Sequence, residues 1–302
     1  MPRSTDKAPA RTRMQFLSEP RQAALAAVPR DGTLGVDTCS REQRSLRALL
    51  ALGLFNRAGR WQPHGGSAAW GLHTLVAYDI IVSAQFDQLV LITDVPHNVA
   101  PYLLPRLDGV TGLPGLRLAE CRGARTYLAR HQPSGARLVI TGNRSGRWSG
   151  SPRRSPRWDF LSDDTPLSEA EHSQLEQGPE ISDEAAQLLG GLVCRLSARD
   201  PHGRWAIGNW FSDPLDRPGW TNNGDVDRYE KQLSGSGHRW TLRWNGFPYS
   251  DDVAASLTSA PVGIPGAVAH TVDDHIDVRL GLAVLRLSGL RAPFRHTAEG
   301  AL

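Results

Sequence analysis

The sequence predicts a mainly β protein built as an antiparallel sandwich with a few short helices, and three segments carry that prediction. Trp205, Ile207, Asn209 and Phe211 alternate with Arg204, Ala206, Gly208 and Trp210. Trp240, Leu242 and Trp244 share one side of Arg239–Trp244, and Ile276, Val278, Leu280, Leu282 and Val284 share one side of 276–284. A period of two is the signature of a strand with one buried face. Beyond Val284 the apolar parity reverses at Leu285 and Leu287, which predicts a bulge or a region covered on both faces within one long strand ending before Pro293.

The elements before these follow in order. Residues 1–30 carry six basic and two acidic side chains among Pro, Ser and Ala, and read as a flexible basic arm. Residues 31–110 read as an accessory region. In it, Ser40 caps an amphipathic helix with Leu46, Leu49, Leu50 and Leu54 at helical spacing, ending near Gly53 or Gly59. Leu72–Val82 reads as a strand or a buried helix, Gln88–Val95 as a strand, and the proline-rich run from Pro96 to Pro114 as a loop. Residues 111–292 hold the expected sandwich, opening with short strands at Leu116–Cys121, Arg125–Arg130 and Ala136–Thr141, and residues 293–302 form a tail. Ser182 and two early acids start a further helix. No internal repeat is visible in the sequence.

Composition bounds the function. With 40% hydrophobic residues, nine Trp and no apolar run of about 18 residues, the chain reads as a globular protein without a membrane partner. Met1-Pro-Arg-Ser-Thr-Asp-Lys lacks the apolar core of a secretory signal, and the widely spaced Cys39, Cys121 and Cys194 read as reduced thiols, so a cytoplasmic location is expected. Of 34 basic residues only Lys7 and Lys231 are lysine, a bias that a GC-rich genome explains without any partner, although guanidinium groups also suit bidentate phosphate contacts. The net charge of +3 does not by itself establish a polyanion partner.

Four segments hold candidate sites. Gly142–Trp158 contains five arginines and no acid, and is followed by an acidic block over 159–184. Arg144, Arg147, Arg153, Arg154 and Arg157, interleaved with Trp148 and Trp158, can hold phosphates while the indoles stack on unpaired bases. Asp213 and Asp216 flank a proline-fixed bend, with Asp225 and Asp227 nearby, and their oxygens suit a hard cation; such residues also make turns without any metal. His270, Asp273, His275 and Asp277 lie within eight residues, the last three expected on one face of a strand, where they could present a metal or an acid/base pair. Ser234-Gly-Ser-Gly-His238 reads as a flexible turn, lacking G-x-S-x-G and a P-loop lysine.

Gly203-Arg-Trp-Ala-Ile-Gly-Asn-Trp-Phe-Ser-Asp-Pro-Leu-Asp-Arg-Pro218 resembles the strand and following acidic turn of jelly-roll coat proteins from small icosahedral RNA viruses of the tombusvirus and sobemovirus kind. The resemblance covers about sixteen residues well and the last hundred loosely. It implies a jelly-roll-like sandwich and a capsid function by self-assembly, in the virion or the host cytoplasm. It also implies contact with RNA through the arginine-rich segments, and calcium held between subunits by Asp213 and Asp216. Two other readings stand beside it. One is a nucleic-acid-binding protein of replication or regulation, and the other a metal-dependent hydrolase built on the 270–277 cluster.

Overall fold

The structure, a computed structural model, describes residues 7–56, 72–107, 112–144, 159–207, 210 and 231–290. It contains two five-stranded sheets and eight α-helices among these residues, a mixed α/β architecture.

Sheet 1 takes β1 (Ile81–Ala84), β2 (Gln88–Ile92), β3 (Leu116–Arg122), β4 (Thr126–His131) and β5 (Arg137–Thr141) in the order β1-β2-β5-β4-β3. Sheet 2 takes β6 (Lys231–Ser236), β7 (Arg239–Trp244), β8 (Val268–Val272), β9 (His275–Leu280) and β10 (Ala283–Ser288) in the order β6-β7-β10-β9-β8. The two orders are the same order. In each sheet a hairpin leads through a crossover helix into a three-stranded meander, and the meander's last strand inserts parallel to the hairpin's second. The crossover helices are α5 (Pro96–Leu103) and α8 (Ser250–Thr258). The architecture is therefore repeated where the sequence shows no repeat, because ladder pairing constrains the backbone and the parity of burial, not side-chain identity.

A helix precedes each sheet. In α3 (Arg41–Phe55) the Ser40 hydroxyl accepts from the Gln43 N–H, and in α7 (Asp183–Cys194) Ser182 accepts from Ala185. The two helices pack along one another, and both sheets lay their apolar faces on this pair and on the crossover helices. Contact is reciprocal: α3 reaches the edge strand β6 of the opposite sheet and α7 reaches β1. Gly190 lets the pair close, since a Cβ there would sit 3.1 Å from the Arg47 Cβ, and Gly191 on the same helix leaves room for Ile264.

Polar anchors hold the connections in place. Arg47 donates to the carbonyls of Val36 and Gln85, and Arg195 pairs bidentately with Asp37 (2.8 and 2.6 Å) while donating to Val262. Arg117, also fully buried, takes both carboxylate oxygens of Glu171 at 2.7 Å. Against the burial that would raise it, the Arg117 guanidinium and the Ser168 and Gly115 amides bring the Glu171 pKa down to about 2.

Several expectations change. The all-antiparallel sandwich gives way to two mixed sheets joined through helices, each with one parallel pair. The boundary expected between 31–110 and 111–292 falls inside sheet 1, where β2 pairs with β5. The N-terminal arm folds from residue 7 as α1 (Lys7–Leu17) and α2 (Arg21–Ala27). Its buried stripe, Ala10, Arg13, Phe16 and Leu17, contains a charge, which hid its helical period. Arg13 is accommodated by Glu19 at 2.6 Å and the carbonyls of Leu34 and Ala84. The proline-rich loop contains α5, where Pro96 takes the tolerated first position and Val99, Ala100 and Leu103 are buried. Leu72–Val82 is divided between helix and strand, as α4 (Leu72–Ala77) and the start of β1. The acidic block contains α6 (Glu169–Glu176), with Ser168 and Glu171 forming a capping box.

The strand expected over 276–287 is a hairpin, and its parity reversal is the turn. Gly281 has φ +55°, Leu282 is 75% exposed, and Ala283, Leu285 and Leu287 return to the core face. In 203–211 the described residues show a single bridge, Arg199 to Ala206, with Trp205, Ala206 and Ile207 all buried; residues 208–209 and 211–218 lie outside the described residues.

The close α3/α7 approach sets a test. Gly190→Val should overpack it, costing about 1–3 kcal/mol and lowering the thermal midpoint by roughly 2–4 °C for each kcal/mol. A midpoint equal to the parent's would show that the helices have room to spare.

Candidate anion-binding face

The two ladders can be superposed pair by pair. Gln88/Arg137, Val90/Val139 and Ile92/Thr141 of the β2/β5 pair correspond to Arg239/Val284, Thr241/Arg286 and Arg243/Ser288 of β7/β10. On β4 and β9, Leu128 corresponds to Asp277 and Arg130 to Arg279. The outer face of sheet 1 is thus apolar over Val90, Ile92, Val139 and Leu128, and Ala23 of α2 seals it. The same positions in sheet 2 are Thr241, Arg243, Arg286 and Asp277. Among the described residues no helix covers them.

A row of side chains crosses this open face from Ser234 through Thr241, Arg286 and Asp277 to His270. Arg239 and Arg243 stand on β7 four residues apart, about 13 Å along the strand at 3.2–3.4 Å per residue. Arg279 lies beyond Val284 from Arg239. Between Arg239 and Arg279 is a concavity of about 270 Å³ lined by these two with Trp240, Thr241, Asp277, Val284 and Arg286.

Asp277 organises the centre. Its side chain is 5% exposed and accepts from Arg286 Nε at 3.0 Å, with Arg279 at 3.7 Å. His275 Nε2 lies 3.5 Å away without a hydrogen bond, while its Nδ1 meets Asp274 at 3.0 Å. Burial pushes the Asp277 pKa up, but the Arg286 hydrogen bond and charge, with His275 and Arg279, outweigh it and hold the carboxyl below its ordinary value. Four guanidinium charges (Arg239, Arg243, Arg279, Arg286) stand on the face against Asp277 within it and Asp274 at its rim, which leaves two in excess. Arg286 is spent on Asp277. Arg239 and Arg243 are exposed, and Arg279 is half exposed.

Of the residues singled out from the sequence, His270, His275 and Asp277 come together on this face. Asp273 does not: with φ +41° it occupies the two-residue turn between β8 and β9. Among the described residues no three His, Cys, Asp or Glu side chains are placed to hold a metal ion. Ser234 and Ser236 lie on β6, and His238 sits 3.7 Å from Glu184. Arg144 is exposed after β5, whereas Arg147, Trp148, Arg153, Arg154, Arg157, Trp158, Asp213, Asp216, Asp225 and Asp227 lie outside the described residues. The face itself was missed. Its signal was present in the arginines filling the polar positions of the alternating strands, but which face lacks a covering helix depends on tertiary structure.

No protein family, curated protein or solved structure matches the chain. Among the described residues no helix is long and apolar enough to cross a membrane.

The Asp277/Arg286 pair gives a prediction with a definite sign. Because the folded pKa is depressed, the carboxylate's stabilisation is present above the unfolded value of 3.8 and is lost as pH falls through the folded value. Arg286→Ala should raise the Asp277 pKa, seen in its carboxyl carbon titration, and start the acid loss of stability at higher pH. The cost near neutral pH should be about 1–2 kcal/mol, discounted because Arg286 is half exposed. An unmoved titration would mean that Arg286 does not govern this carboxylate.

Proposed function

We propose that the chain is a nucleic-acid-binding protein that holds a single-stranded phosphate backbone on the open face of sheet 2. The observation that carries the reading is the contrast between equivalent faces: apolar and sealed by α2 in sheet 1, arginine-lined and concave in sheet 2. A face that needed only to meet water would be served by any polar residues. Here Arg239, Arg279 and Arg286 line a hollow, with Arg243 exposed farther along β7, and guanidinium forks match phosphate oxygens in geometry as well as charge. Asp277 serves by fixing Arg286 and by repelling anions from all but the flanking guanidinium groups.

The coat-protein reading, with its jelly-roll-like shell and calcium at Asp213 and Asp216, draws its support from 203–218, mostly outside the described residues. The hydrolase reading has no assembled acid, base and metal set among the described residues. Phosphate binding is the reading that the face supports best.

Fluorescence polarisation with a labelled oligouridylate across a salt series tests it. The triple change Arg239→Ala, Arg243→Ala, Arg279→Ala leaves the Asp277/Arg286 pair in place. It should weaken binding at least tenfold and reduce the slope of log K against log salt by about 2, at roughly 0.7 per phosphate contact for single strands. Equal affinity and slope in parent and variant would refute the assignment.

A further inference from the structure

The outer edges of the two sheets are treated unequally. In an antiparallel hairpin closed by a two-residue turn, the third residue before the closing pair lies in a non-hydrogen-bonded pair, so its N–H and C=O point away from the partner strand. At β6 that residue is Leu233, and the Asn56 side chain accepts from its N–H (2.9 Å) and donates to its C=O (2.7 Å). On β1 the outward carbonyl of Ala84 accepts from Arg13 at 2.7 Å. On β3 an extended segment of the chain lies along the edge: the Leu118 N–H donates to the Leu161 carbonyl at 2.9 Å, and the Asp163 N–H to the Leu118 carbonyl at 3.1 Å. The fourth edge is β8. Val272 and His275 close its hairpin, so the equivalent residue is Ala269, and Thr271 also points outward. Among the described residues nothing pairs with that edge, and Val268, Ala269, His270 and Thr271 are all exposed.

The β3 edge shows what such an edge takes. Superposed through the ladders, Leu118 corresponds to Ala269 and Arg130 to Arg279. The segment on β3 brings not only its backbone but a carboxylate, for Asp163 pairs with Arg130 at 3.1 Å. Arg279 stands in the same place beside the bare edge, half exposed and 3.7 Å from Asp277. Neighbouring positive charge at His270, when protonated, and Arg286 adds to its pull on a carboxylate, while Asp277, Asp273 and Asp274 oppose it.

We propose that the β8 edge is a docking site for an extended, acidic segment of a partner polypeptide. The segment adds as a sixth strand, bonding the N–H and C=O of Ala269 and placing a carboxylate on Arg279. Backbone bonding supplies affinity that does not depend on sequence, and the carboxylate supplies the selection. The site lies at the rim of sheet 2 and stands independently of nucleic-acid binding on its face, with Arg279 the one residue common to both.

The test uses a labelled synthetic peptide of the chain's own edge-pairing sequence, Asp-Phe-Leu-Ser-Asp-Asp-Thr, added to the full chain. It should bind with saturable affinity and shift the amide resonances of Ala269 and Thr271. Ala269→Pro removes an N–H that bonds nothing within the described fold, a change that edge strands tolerate. It should leave the thermal midpoint unchanged and weaken the peptide at least tenfold. Arg279→Glu should do the same for this peptide, and a peptide with asparagine in place of its aspartates should bind the parent no better than the acidic peptide binds Arg279→Glu. No peptide binding at millimolar concentration, or binding unaffected by either variant, would overturn the proposal. So would a dimer of the parent chain that Ala269→Pro dissociates, since the edge would then belong to a second copy. Neither variant result depends on the oligouridylate affinity of the Arg239→Ala, Arg243→Ala pair, which tests the face without touching the edge.

Discussion

Both sheets must bury one face against the same pair of helices, and the rest of the molecule follows from that constraint. α3 and α7 approach closely because Gly190 presents no side chain at their contact. Leu89, Leu91, Leu138 and Ile140 from sheet 1, and Trp240, Leu242, Leu285 and Leu287 from sheet 2, belong to one continuous core that includes this pair. At roughly 25 cal/mol per Å² of apolar surface removed from water, this shared burial is the dominant favourable contribution. It also fixes register, because a slip of one residue would turn Trp240 and Leu242 outward and bring Arg239 and Arg243 into the core.

Once the inner faces are committed, the outer faces are free to differ. Sheet 1 covers its outer face with α2, and Arg13 secures the preceding helix to Glu19, Leu34 and Ala84. Sheet 2 replaces that apolar patch with Thr241, Arg243, Arg286 and Asp277 and leaves it open among the described residues. At the edges, β1, β3 and β6 have outward backbone groups bonded, and among the described residues β8 does not. One half of the repeated architecture is closed on itself and the other presents surfaces.

Local signals in the sequence identified the elements well where local physics decides them. Ser40 and Ser182 marked helix starts through side-chain caps, and the alternation of Arg239–Trp244 placed β7. The failures have tertiary causes. Arg13 broke the apolar period of α1 because Glu19 and the distant carbonyls of Leu34 and Ala84 satisfy it, so the apolar pattern alone does not mark its burial. The reversal at Leu285 predicts a bulge or a region covered on both faces, whereas Gly281-Leu282 is a two-residue turn of the kind that reverses parity. For the site, the sequence puts His275 and Asp277 on one face, but their partner Arg286 arrives by pairing from another strand, which spacing along one segment does not reveal.

The asymmetry between the two outer faces is most directly measured by arginine modification. Phenylglyoxal labelling of the full chain, read by mass spectrometry with and without saturating oligouridylate, reports each exposed guanidinium separately. The account predicts that the oligonucleotide protects Arg239, Arg243 and Arg279 of sheet 2 while Arg130 and Arg137 of sheet 1 keep their rates. Equal protection on both sheets, or protection of the sheet 1 arginines alone, would contradict it.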